Sequence, residues 1–149
     1  MKKLLKISAV LWIVWGLVHI FAGVMTMRRI LTGDISASVA GIADAVEPSL
    51  LQMDYSEASG AILSQHGFNL FWIGIFTFIG AFYIWKGNKI AIIFTAIVGG
   101  LTDLGYFIFI DLGGFANFVP GTIMTIVSTT AIILSLYVYF NTRNQLTTK

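Results

Sequence analysis

The amino-acid sequence predicts an all-α fold, an integral membrane four-helix bundle with a short amphipathic helix in the outer loop between the first and second spans. Of the 149 residues, 57% are hydrophobic and only 11% are charged, whereas about a quarter of a soluble domain is charged. The apolar residues also form four runs, each near the roughly 20 residues that cross a bilayer as a helix. We therefore expect one transmembrane domain over residues 1–149.

Short polar segments separate the predicted spans. The sequence Lys86-Gly87-Asn88-Lys89 predicts a tight turn between the second and third spans, and Asp111-Leu112-Gly113-Gly114 predicts the end of the third. Pro120 falls in the first turn of the fourth span, where its missing N–H costs little, and Ser56 is a suitable N-cap for the second helix. The predicted spans are residues 4–27, 61–85, 90–110 and 119–140.

The loop of residues 28–60 is the longest segment between spans. Asp34 predicts the start of a helix that runs to about Val46, and Pro48 predicts its end. The apolar stripe of this helix comprises Ile35, Val39, Ile42 and Val46. We expect an amphipathic connector at the membrane surface, and a lid over the bundle is the alternative.

The distribution of basic residues predicts the orientation, because cytoplasmic loops are enriched in Lys and Arg. One side of the bundle carries Lys2, Lys3, Lys6, Lys86, Lys89, Arg143 and Lys149. The other side carries only Arg28 and Arg29. The sequence thus predicts a multi-pass protein of the cell membrane with both termini in the cytoplasm.

Composition also excludes several kinds of function. The chain has no cysteine, which excludes structural disulfides, thiolate metal ligands, thiol redox catalysis and covalent c-type haem attachment. The Lys and Arg residues sit at helix ends and form no continuous basic face, so we expect no nucleic-acid binding. Membrane lipids are the expected partners, and a homo-oligomer or a larger membrane complex is left open.

Each predicted span has one face of small and polar residues, because positions three and four apart share a helix face. These faces comprise Trp12, Trp15, Gly16, His19, Gly23 and Thr26; His66, Asn69, Thr77 and Gly80; Thr95, Gly99, Asp103 and Tyr106; and Thr122, Thr125 and Thr129, flanked by Ser128. Helix packing explains the small residues and hydroxyls. It does not explain Asp103, because a carboxylate at the centre of a span costs about 2.5–3.5 kcal/mol on insertion scales.

Depth along the spans predicts which polar residues meet. At about 1.5 Å per residue, His19 and Asp103 lie at similar depth, roughly 18–20 Å from the cytoplasmic side. The second span enters from outside and brings its polar residues near that level, so we expect Asp103 within hydrogen-bonding reach of His19 or His66. The sequence therefore predicts an outward-facing pocket that binds a small ligand, a lipid headgroup or a metal. Its predicted ligand-binding residues are His19, His66, Asn69, Asp103 and Tyr106.

Imidazole and carboxylate groups bind divalent transition metals, so His19, His66 and Asp103 are candidate metal ligands, and the two histidines are candidate axial ligands of a haem. A histidine could also act as an acid or base in an intramembrane enzyme, but no motif names a reaction. Two further interpretations stay open. One is a structural or accessory subunit whose buried polar cluster only fixes helix packing, and the other is a small proton-coupled transporter acting as a dimer.

The predicted orientation can be tested by cysteine labelling, since the chain has no cysteine of its own. We expect a cysteine introduced at Asn88 or Asn144 to be shielded from a membrane-impermeant thiol reagent in intact cells, and one introduced at Ser49 to be labelled. Labelling at Asn88 would contradict the predicted topology.

Overall fold

The computed structural model describes residues 1–147, with side chains through Asn141, and this part of the chain is helical with no strand. Lys149 and the side chains of Arg143 and Asn144, which enter the orientation argument, lie outside the described residues. The helices are α1 (Lys2–Leu31), α2 (Ile35–Ala40), α3 (Glu57–Trp85), α4 (Lys89–Tyr106) and α5 (Ile123–Thr147). A 3₁₀ turn covers Pro48–Leu51, and π-helical turns cover Phe107–Asp111 and Phe118–Thr122.

Within the described residues, four helical segments are long and apolar enough to cross a membrane, which confirms the predicted bundle of long apolar helices. They are Lys2–Leu31, Glu57–Trp85, Lys89–Asp111 and Phe118–Asn141. The first continues beyond the predicted residue 27, because Arg28 and Arg29 lie in its last turn, where cations interact favourably with the helix dipole.

Capping side chains set the starts of α3 and α4. Ser56 accepts a hydrogen bond from the Ser59 N–H at 3.2 Å, as predicted. Asn88 does the same for α4, accepting from the Ala91 N–H at 3.0 Å.

The two ends of the bundle differ in what they hold. We call the end that holds residues 32–56 and 112–117 the loop end, and the opposite end the termini end.

The helix in the first loop is shorter than predicted. Asp34 caps it by accepting from the Ala37 N–H at 2.9 Å, but α2 ends at Ala40 and not near Val46. The chain then turns toward the connection between α4 and α5, where the Ala45 N–H donates to the Phe115 carbonyl at 3.0 Å. Turn hydrogen bonds continue after α2, with the Ala43 N–H donating to the Val39 carbonyl at 2.9 Å, but the Ala45 N–H bonds to the distant segment.

The closest helix contact joins α1 to α3 through residues seven positions apart. The buried small residues are Ala9, Gly16 and Gly23 on α1 and Gly60, Gly67, Gly74 and Ala81 on α3. A Cβ built on Gly16 would lie 2.8 Å from the Gly74 carbonyl oxygen, and one built on Gly74 would lie 2.7 Å from that of Gly16. The two backbones are therefore in contact, which only small residues permit.

Two tryptophans of α1 fill the centre of the bundle. Trp12 and Trp15 are fully buried, and their rings pack edge to face with centroids 5.6 Å apart. The Trp12 ring lies against Gly99 of α4, where an added Cβ would overlap it. Ser8 ties α1 to α5 by donating to the Ala131 carbonyl at 2.8 Å. Helix α1 thus contacts each of the other long helices.

The glycine contact generates a stability prediction. We expect Gly23→Ala to lower the free energy of unfolding by about 1–3 kcal/mol, because overpacking forces backbones apart and the new Cβ would meet backbone atoms of Gly67 and Phe71. Gly105→Ala on α4 is the matched control, since nothing lies within 4 Å of its Cβ position. Reversible unfolding in mixed detergent micelles measures both, and an equal effect of the two changes would contradict the assigned contact.

Candidate functional site

Asp103 is the centre of the candidate site. It lies on the inward face of α4 with Ile92, Thr95 and Gly99 and is 5% exposed. The Trp15 indole Nε1–H donates to its Oδ2 at 2.9 Å. A buried carboxyl group needs such partners to offset its loss of water, and sequence reasoning had placed Trp15 on the polar face without assigning it this role.

His19 lies beside this hydrogen bond. Its ring stacks on the Trp15 ring, with centroids 3.5 Å apart and planes at 20°. Its Nδ1 is 2.9 Å from the Trp15 carbonyl oxygen, and its Nε2 is 4.0 Å from Oδ1 of Asp103. His19 therefore lies beside Asp103, but the two side chains are too far apart for the direct hydrogen bond that was expected.

The contacts of His19 and Asp103 determine where this pair of side chains can hold a proton. A carbonyl oxygen can only accept, so His19 carries its proton on Nδ1, and Nε2 in the neutral ring presents a lone pair. That lone pair faces a carboxylate oxygen, and two acceptors repel each other. One added proton, on Nε2 or on the Asp103 carboxyl group, removes this repulsion. The pair can therefore take up or release one proton.

His66 and Asn69, which were predicted to converge on Asp103, make no hydrogen bond or ion pair with it in the described structure. Both residues are exposed on α3, and the Asn69 Oδ1 accepts a hydrogen bond from its own helix, from Trp72 Nε1 at 3.1 Å. Successive residues of a helix point about 100° apart, so the burial of Gly67 against α1 turns His66 outward.

Tyr106 lies one turn from Asp103 toward the loop end, as predicted from its position. It is half-buried, and its hydroxyl group faces Gly121 at the start of the last apolar segment, where an added Cβ would lie 2.6 Å away. The ring thus packs over the backbone of Gly121 and separates Asp103 from the loop end.

Asp111 has a role that sequence reasoning missed. It accepts hydrogen bonds from the hydroxyl groups of Thr122 at 3.0 Å and Thr125 at 3.1 Å. The sequence showed a row of threonines on the fourth span and an aspartate just after the third, but not that they meet. These bonds join the loop ends of the third and fourth apolar segments.

The predicted set of three metal ligands is not assembled. Among the side chains of residues 1–141, no group of three or more His, Cys, Asp and Glu is placed to hold a metal ion. With His66 exposed on α3, only His19 and Asp103 remain together. The axial pair of histidines for a haem stays a prediction.

A groove between α4 and α5 borders Asp103, and Trp15 is not among the residues that line it. Its volume is about 240 Å³. Its lining comprises Gly100, Asp103, Leu104, Phe107, Thr125, Ser128, Thr129 and Ile132. The Ser128 hydroxyl lines the groove beside Asp103 and donates to the Thr125 carbonyl oxygen at 3.1 Å. The hydroxyl row predicted on the fourth span forms the polar part of this groove.

The site is closed toward the termini end. Trp12 and Trp15 are fully buried there, and Trp12 packs on Gly99, one helical turn from Asp103. An indole group donates a hydrogen bond but cannot accept and pass on a proton. The two rings thus separate Asp103 from the hydroxyl groups deeper in the bundle.

These contacts define a carboxyl group that is anchored by an indole, paired with a histidine and open on one side to a groove. Comparison with protein-family models, with curated proteins and with solved structures finds no match to this chain.

Proposed function

We propose that this chain is a polytopic membrane protein that binds a small ligand or a lipid headgroup in a pocket centred on Asp103. One observation carries the proposal: the carboxyl group is anchored by Trp15 and borders a groove of about 240 Å³. A purely structural carboxyl group needs its hydrogen-bond donors but no cavity beside it. Buried ionisable residues in apolar helices are in general associated with function.

The orientation is part of this proposal. The basic residues at the termini end support a cytoplasmic location for both termini in the cell membrane. Asp103 lies eight positions before Asp111, the last residue of its apolar segment, and further from Lys89, the first. The pocket would then lie in the outer half of the membrane, and the long apolar helices of the described chain support its insertion there.

A structural role is the second candidate, because one observed contact favours it. The hydrogen bond from Trp15 to Asp103 joins α1 to α4, and buried polar contacts can fix helix register without any ligand. The proposed dimeric transporter has less support, since the buried rings of Trp12 and Trp15 would have to move to connect the site with the termini end.

Two substitutions at Asp103 separate ligand binding from scaffolding. Asp103→Asn keeps an oxygen that can accept from Trp15, whereas Asp103→Leu leaves the buried indole N–H unpaired, and we expect only the leucine variant to lose about 1–3 kcal/mol of stability. If the groove binds a ligand through the carboxyl group, both variants lose ligand-induced stabilisation, which for the wild type reaches about 2.7 kcal/mol at a hundredfold excess over Kd.

The measurement is a melting-temperature screen in detergent against lipids, small polar compounds and metal ions. Asp54→Asn is the matched control, because it removes the same charge from an exposed loop position. A compound that stabilises the wild type and both Asp103 variants equally would show that Asp103 takes no part in its binding, and no stabilisation by any compound would favour the structural role.

A further inference from the structure

The groove between α4 and α5 is lined by both polar and apolar residues. The polar residues are Asp103, Thr125, Ser128 and Thr129, of which Asp103 and Ser128 are buried, and the apolar residues are Gly100, Leu104, Phe107 and Ile132. Such a division suits a ligand with one polar end and an apolar body.

The groove opens on the side of the bundle. Two of the apolar residues that line it are also part of the outer surface of the bundle. Leu104 is 50% exposed and Phe107 is 38% exposed. In a membrane, this surface faces lipid chains. A ligand dissolved in the bilayer could therefore reach Asp103 without passing through water.

Access from the loop end is closed by several contacts. The Tyr106 hydroxyl packs on Gly121, and Asp111 holds two threonines of the last apolar segment. The first loop is also hydrogen-bonded to the connection between α4 and α5. The Asp44 carboxylate accepts from the Asn117 backbone N–H at 2.6 Å, and the Asp44 backbone carbonyl oxygen accepts from Asn117 Nδ2 at 2.7 Å. A ligand from the water on that side would have to break these bonds.

The volume of the groove and its polar side chains limit the size and the charge of the polar end of the ligand. An engineered apolar cavity of about 150 Å³ binds benzene, so about 240 Å³ accommodates a substituted ring. The His19–Asp103 pair with one added proton is electrically neutral, and a charged ligand would leave an uncompensated charge in the groove. A hydroxyl group can donate to Asp103 and accept from the hydroxyl group of Ser128 if that group turns away from the Thr125 carbonyl oxygen.

From this geometry, and resting on the proposed function, we propose that the groove binds an uncharged amphiphile from the bilayer. Its compact, ring-sized head carries a hydroxyl group that hydrogen-bonds to Asp103, and its apolar tail leaves between α4 and α5 past Leu104 and Phe107. The access route is sideways through the membrane.

The test compares 4-butylphenol with 4-butylanisole, which keeps the ring and chain but has no hydroxyl donor. Binding to the protein in lipid nanodiscs is measured by the rise in melting temperature and by calorimetry. We expect the phenol to bind about tenfold more tightly, as one hydrogen bond to a buried acceptor predicts. In Asp103→Leu this preference should disappear.

Groove-filling variants test the location. Gly100→Leu should abolish phenol binding, because a Cβ at this position already lies 3.0 Å from Ile132 Cδ1 and a longer side chain enters the groove. Gly105→Leu on the same helix should bind normally, since nothing lies within 4 Å of its Cβ position. If Gly100→Leu fails to fold, Thr129→Phe fills the same groove from α5.

Equal affinity for phenol and anisole, or unchanged binding in a folded groove-filling variant, would overturn this proposal. If the phenol fails to bind while a water-soluble compound binds in a manner that depends on Asp103, the proposed function stands and the bilayer amphiphile is rejected. Failure of every compound would contradict both.

Discussion

The direct contact between the backbones of α1 and α3 is the constraint on which the rest of the structure depends. Gly16 and Gly74 lie against each other, as do Gly23 and Gly67, and this fixes the rotation of both helices about their axes. On α1 the same rotation points Trp12 and Trp15 toward α4. On α3 this rotation leaves the polar residues His66 and Asn69 exposed. The site thus follows from where small residues permit close packing.

Trp15 of α1 connects this packing to the chemistry of Asp103. Trp15 donates to the carboxyl group, its ring supports His19, and its carbonyl oxygen selects the tautomer of that histidine. One residue therefore anchors the acid and orients the base. Such fixed geometry lowers the cost of ordering groups when a ligand binds, which is one physical reason why the arrangement supports a binding function.

The two ends of the bundle differ in how they limit access to Asp103. Toward the termini end, fully buried indole rings fill the interior. Toward the loop end, hydrogen bonds from Asp111 and Asp44 hold the connections together. The groove between α4 and α5 remains, bordered by side chains that are part of the apolar outer surface. The proposed side access to the pocket is based on this contrast.

The sequence by itself determined the long apolar helices, because length and composition are properties of each segment alone. It also determined local features such as the caps at Asp34 and Ser56 and the presence of one unusual carboxyl group, Asp103. Only the tertiary structure decided that Asp103 bonds to Trp15 and shares a groove with the hydroxyl groups of α5, that His66 is exposed, and that α2 ends at Ala40. The rotation of a helix and the path of a loop depend on the sum of many contacts with distant segments, and a pattern within one segment does not contain that sum.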